Sequence, residues 1–142
     1  MIDDVAAWPR WWPDYRRVER VSSVEHGVGA RWRVGVRADL PYTLDFTFTV
    51  LDHEPPRYVR IVVEGFFAGE IDWRLEPAPA GTRLVLTEET ETRWPVINLI
   101  ARLGGRRLLE ANHRAAMRRG QGGLRALMAT GYLAPDLDGP PR

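Results

Sequence analysis

Hydrophobic side chains recur at every second position through the first two thirds of this sequence, and then the spacing turns helical. Trp32, Val34, Val36 and Ala38 alternate with Arg31, Arg33, Gly35 and Arg37. Tyr42, Leu44, Phe46, Phe48 and Val50 alternate with Thr43, Asp45, Thr47 and Thr49. Val59, Ile61 and Val63 make a third run, and Phe67, Gly69, Ile71, Trp73 and Leu75 a fourth. Successive side chains of a strand point to opposite faces, so each run reads as a strand with one apolar and one wet face. Turn formers punctuate the pattern at 26–29, 40–41, 54–56 and 77–81. A last strand over 82–92 is less regular. Leu84 and Leu86 share a face, which carries Glu88 to the apolar side; either a bulge intervenes or Glu88 faces a cavity.

Over 95–129 the period is helical. Leu109, His113, Ala116, Met117, Gly120, Leu124, Leu127 and Met128 fall on one stripe, with Arg107, Arg114, Arg118 and Arg125 roughly opposite. Before Gly104–Gly105 the apolar face (Val96, Leu99, Ile100, Leu103) is rotated, which predicts a short helix opened by Pro95, a break at the glycines, and then a long helix. The expected architecture is α+β. About six antiparallel strands in meander order curve around one long C-terminal helix that covers their apolar face. A cavity lies between the two layers if the sheet wraps the helix.

The 142 residues amount to one domain, expected over 1–130, with a flexible Pro/Gly-rich tail over 131–142. Ahead of the strands, Asp3 or Asp4 is placed to cap a short helix ending at Ala7. Pro9 and Pro13 then force a turn-rich loop, and Trp8, Trp11 and Trp12 require that loop to lie against the core.

Composition removes much chemistry. There is no cysteine, so disulfides, thiol nucleophiles and thiolate metal sites are excluded. All 20 basic residues are arginine, which excludes a Schiff-base lysine and the lysine of a phosphate-binding loop. The only serines, Ser22 and Ser23, sit outside any nucleophile-elbow setting. A net charge of +1 supplies no field for nucleic acid, and none is expected as a partner. No apolar run approaches the about 18–20 residues of a membrane span, and the acidic, aromatic start lacks the basic region of a secretion signal. The cytoplasm is the default compartment.

Few residues are left to carry chemistry. His113 sits on the helix face aimed at the sheet; it is either a polar anchor or proton carrier in an apolar pocket, or a packing histidine bonded to a strand. Glu88 is its inward-phased counterpart. Arg102 and Arg106 overlap the same stripe if the helix runs unbroken, and an inward arginine would need a carboxylate such as Glu88. His113, Glu88 and Arg106 are therefore the catalytic candidates. Glu89 and Glu91 are expected on the wet face, opposite Arg31, Arg33 or Arg37. His26 and His53 read as solvated turn residues, and no metal or cofactor site is expected. The inner-face residues Trp32, Phe46, Phe48, Ile61, Phe67, Trp73 and Leu86, with Leu109, His113 and Met117 of the helix, are expected to form core at one end and ligand cavity at the other. The segment Phe66-Phe67-Ala68-Gly69 could gate a pocket mouth. The helix arginines read either as a patch for acidic headgroups or as a solvated outer face; the second is preferred, because no aromatic platform accompanies them.

Several strings resemble the START/Bet v 1-like superfamily, in particular the bacterial SRPBCC proteins of polyketide cyclase/dehydrase type. Trp8-Pro9-Arg10-Trp11-Trp12-Pro13 is similar to that family's W-P-x-W-x-P loop. Gly81-Thr82-Arg83-Leu84-Val85-Leu86-Thr87 resembles its penultimate turn and last strand. Asn112-His113, Met117, Gly120, Gly123-Leu124 and Leu127 resemble its C-terminal helix. The resemblance implies a helix-grip fold enclosing an apolar pocket, among proteins that bind lipids, sterols, quinones, hormones or polyketides and include some enzymes. The chain departs from the pattern at its start: only seven residues precede Trp8, where the family places a strand and a helix. An open edge of that kind predicts a chain that is marginal alone or paired as a homodimer.

The leading expectation is binding of a hydrophobic or aromatic small molecule, a lipid, quinone or polyketide-like compound. The alternative is a cyclase, aromatase or dehydratase in the same cavity, with Arg102 or Arg106 stabilising an enolate and His113 or Glu88 carrying the proton. A third class, delivery of quinone or lipid to a membrane enzyme, has only the basic helix behind it.

Overall fold

A computed structural model describes residues 2–39, 42–79, 81–95, 97 and 101–131. The expectations for Leu40–Pro41, Val96, Leu99, Ile100 and the tail beyond 131 lie outside the described residues. Six strands run in order: β1 (Tyr15–Arg20), β2 (Arg31–Val36), β3 (Leu44–Glu54), β4 (Tyr58–Gly65), β5 (Phe67–Ala78) and β6 (Gly81–Thr92). They form one antiparallel meander in sequence order, with β1 and β6 at its edges. The register shifts between Tyr15 and Arg17 and between Val50 and Asp52, irregularities of the kind that bend strands.

Pairing places Trp32 opposite Phe48, Phe48 opposite Val63, and Trp73 opposite Leu86. The apolar members of each run thus share one face, as their period of two requires. No shift interrupts the β5–β6 register, and Glu88 lies opposite Ile71. The bulge considered for this strand is therefore absent, and Glu88 stays in phase with Leu84 and Leu86.

The tryptophan segment is more regular than a turn-rich loop. A 3-10 turn (Val5–Ala7) runs into a short helix α1 (Trp8–Trp11), with Pro9 in its first turn. Pro9 opens this helix rather than ending the preceding one, because a first-turn residue needs no intrahelical N–H partner. Trp8, Trp11 and Trp12 are all buried. Trp8 stacks on Phe48 at 5.5 Å between ring centres, and its indole N–H donates to the Ile2 carbonyl at 2.8 Å. Phe48 and Val34 form the dry centre of the core, each at most 2% exposed. Burying a phenylalanine such as Phe48 contributes about 1.5–3 kcal/mol.

The long helix α2 spans Arg106–Ala129. Pro95 and Ile97 are also helical, and a wide turn over Ala101–Gly105 separates them from α2. The break falls at Gly104, whose φ of 96° lies where side chains are strained. Packing joins α2 to the tryptophan segment. Trp12 donates its indole N–H to the Ala116 carbonyl at 3.1 Å. Arg119 reaches both oxygens of Asp14 through Nε, at 3.0 and 3.1 Å, and Asp39 through Nη1. The backbone N–H of Asp39 donates to Asn112 Oδ1 at 3.0 Å. The end of β2 and the start of β1 are thereby held to the helix.

Candidate functional site

A chamber of about 480 Å³ separates the sheet from α2. Its walls are the inward residues of the sheet's second end, including Phe46, Val63, Phe67, Ile71 and Trp73, and the helix residues Leu109, Ala116 and Met117. The period of two supplies one wall and the helical stripe the other. Ligand sites typically occupy about 300–1,000 Å³ and are mainly apolar with a few convergent polar groups, and this chamber meets both conditions.

Polar groups line it too, Thr90 and Thr92 from β6 and Glu110, Asn112 and Arg114 from α2 among them. Glu88 projects from β6, His113 from α2, and Tyr15 from the start of β1, and all three line the chamber. Glu88 Oε2 lies 3.6 Å from His113 Nε2, and Thr90 donates its hydroxyl to Glu88 Oε1 at 2.9 Å. At 3.6 Å the Glu88–His113 approach is a charge contact when the imidazole is protonated and too long for a hydrogen bond. The Glu88 side chain is 29% exposed and that of His113 56%, so solvent still reaches this corner. Burial pushes the Tyr15 phenol above its ordinary range, and the neighbouring carboxylates of Glu88 and then Asp14 push it further. Tyr15 is thus held neutral, with its O–H available to a ligand oxygen. Burial also raises Tyr42, at the same chamber's edge.

The structure sorts the sequence candidates into two groups. Phe46, Phe67, Trp73, Leu86, Leu109, His113 and Met117 line the chamber, with Glu88. Trp32, Phe48 and Ile61 are buried in the core and do not line it. Arg106 does not reach it either. Its side chain is 81% exposed and pairs with Glu110 one turn along the helix, Nε to Oε1 at 2.8 Å. The break at Gly104 takes Arg102 out of the phase of α2, whereas Arg106 is the first residue of α2 and its side chain turns to Glu110 at that exposed end. His53 is not a solvated turn residue: its Nε2 lies 3.2 Å from Asp3 Oδ1 and ties the chain's start to β3. Arg31 pairs with Glu64 across the sheet, rather than with Glu89 or Glu91. Phe66 lines the chamber beside an aromatic cluster in which it meets Phe67 at 4.8 Å and Trp94 at 5.3 Å.

Sequence reasoning missed Tyr15, whose strand is too short and polar to reveal a phase. It also missed Arg119, which was indistinguishable from its arginine neighbours until its partners Asp14 and Asp39 were placed. Among the described residues no three His, Asp or Glu side chains converge as a metal site requires.

A long helix gripped by an antiparallel sheet, with an apolar chamber between them, defines the helix-grip class of α+β domains. Within that class the chain belongs to the polyketide cyclase/dehydrase and lipid transport family, whose model matches residues 1–117. Its fold is similar to that in the crystal structure of TTHA0849 from Thermus thermophilus. The TM-score is 0.66 at 21% identity, covering 88% of this chain and 86% of that one. No curated protein matches the sequence. Among the described residues no helix is long and apolar enough to cross a membrane.

Proposed function

We propose that this chain binds a hydrophobic or aromatic small molecule, a lipid, quinone or polyketide-like compound, in the chamber between the sheet and α2. The observation that carries the reading is the chamber itself, mainly apolar, with Tyr15, Glu88 and His113 among its polar lining. Apolar walls supply affinity through burial, and the polar groups orient a ligand oxygen. Family membership supports the same class of ligand.

A second reading is favoured by the approach of Glu88 to His113. A carboxylate and an imidazole facing one chamber can exchange a proton with a bound polyketide-like substrate, and the neutral Tyr15 can donate to its carbonyl. That is the arrangement a cyclase, aromatase or dehydratase would use.

The test is titration of the full chain with N-phenyl-1-naphthylamine, a neutral apolar fluorophore, followed by quenching of the tryptophans. Trp12 and Trp73 line the chamber and report directly. Saturable one-to-one binding is expected, weakened about tenfold when Met117→Trp fills the space. Binding that Met117→Trp leaves unchanged overturns the reading. Turnover of a poly-β-ketone analogue that Glu88→Gln abolishes would select the enzyme reading.

A further inference from the structure

We propose that the ligand of this chamber carries an acidic head, a carboxylate or a phosphate, and that arginines beneath the outer side of α2 hold it. The inference deepens the reading above and rests on it. A second space of about 860 Å³ follows the seam between α2 and the edge strand β6. Trp12, Trp73, Leu86, His113, Arg114 and Met117 line both spaces, so the groove adjoins the chamber. Its floor is apolar. Arg114, Arg118 and Arg125 line it from the helix and Arg83 from β6.

Among the described residues no carboxylate lines the groove. Among those same residues none of these four arginines has an ion-pair partner, whereas Arg17, Arg20, Arg31, Arg60, Arg106 and Arg119 each have one. The helical angles explain the gathering. At about 100° per residue, Arg114, Arg118 and Arg125 fall within about 40° of one another. Met117, Leu124 and Met128 adjoin them on the side facing the sheet. Sequence alone read this stripe as a solvated outer face, but Arg114, Arg118 and Arg125 border the groove rather than open solvent alone. Like charges held together without acids repel, and a bound anion relieves that repulsion. Guanidinium forks match carboxylate and phosphate oxygens in pairs, while their stems cover apolar surface. An amphiphile therefore fits with its tail in the chamber and its head at the arginines.

The experiment is calorimetric titration of the full chain with dodecyl phosphate, dodecanoate and dodecan-1-ol, below their aggregation limits. The two acids are expected to bind about tenfold or more tighter than the alcohol. The preference should shrink as salt rises, because the arginines are exposed. The paired change Arg118→Gln and Arg125→Gln, at residues that line the groove and not the chamber, should erase it and leave the alcohol's affinity. Arg107→Gln, on the same helical line but outside the groove, should keep it. If the paired variant fails to fold by circular dichroism, Arg118→Gln alone carries the test. Equal binding of acids and alcohol overturns the inference and leaves the chamber's reading standing. Failure of all three to bind overturns both. Adsorption to phosphatidylglycerol vesicles without binding of monomeric dodecyl phosphate overturns the inference in favour of a membrane contact.

Discussion

Gly123 of α2 lies directly against the backbone carbonyl of Trp11. A β-carbon there would overlap that oxygen, and one on Gly120 would strike the Trp12 indole. Gly122, between them, has open space around the same position. The helix therefore approaches the tryptophan segment as closely as backbone allows, at two glycines one turn apart.

Gly122→Ala should stabilise the protein by about 0.5–1 kcal/mol, the helix preference of alanine over glycine. Gly123→Ala gains the same preference but must push the helix from Trp11, and a net loss of about 1–3 kcal/mol is expected from the forced shift. Urea denaturation of the two variants checks the opposite signs. Equal stabilisation by both would show that the contact is not tight.

Asp14 is 4% exposed, and its carboxylate is met by Arg119. Removing one partner of a buried pair leaves an uncompensated charge, at a cost of about 3–5 kcal/mol in a fully buried case. Arg119 is one-third exposed, so solvent softens the loss, and Arg119→Gln should destabilise by about 1–2 kcal/mol. Asp14→Asn with Arg119→Gln should recover part of the deficit. A double-mutant cycle measures the coupling, and a coupling near zero would remove Arg119 from the account of how α2 is anchored.

Tyr15, Tyr42 and Tyr58 are all raised above the ordinary phenol value of 10.0: the first two chiefly by burial, Tyr58 chiefly by its hydrogen bond to Asp72. A group with a raised folded pKa adds stability that is complete below its unfolded pKa and is lost as pH climbs towards the folded value. Stability should therefore hold up to about pH 10 and fall above it, as the unfolded chain ionises first. Tyr15→Phe should flatten that alkaline decline. Thermal melts between pH 8 and 11 give the slope, and an unchanged slope in Tyr15→Phe would place its hydroxyl in contact with water.

The two ends of the sheet should answer truncation differently. Phe48→Ala opens a hole in the dry core and should cost about 3–5 kcal/mol. Phe67 is half-buried and already borders the chamber, so Phe67→Ala should cost about 1–2 kcal/mol and enlarge the ligand space. The measurement is denaturant unfolding beside N-phenyl-1-naphthylamine titration. Equal costs would mean that the chamber closes up in solution.

Much of the site was legible residue by residue. The phase of Leu84 and Leu86 carries Glu88 inward, and the stripe through Leu109, His113 and Met117 carries His113 towards it. Arg106 shares the helical phase of His113, but as the first residue of α2 it stays exposed and pairs with Glu110, which periodicity does not reveal. The division of the inner face into core and chamber was not legible, since Phe48 and Phe46 are identical in type and phase.

Local repetition determined the element types, their order and the apolar face of each, because side-chain direction follows from the backbone repeat of a strand or helix. Partnership across the fold was decided only in three dimensions. Arg119 meets Asp14 from 105 positions away, while Arg114 and Arg118 on the same helix meet no acid among the described residues. What separates them is how α2 is seated, and that depends on Gly120 and Gly123 admitting the tryptophan segment. Such contacts arise between surfaces brought together by packing, and no period along the chain encodes them.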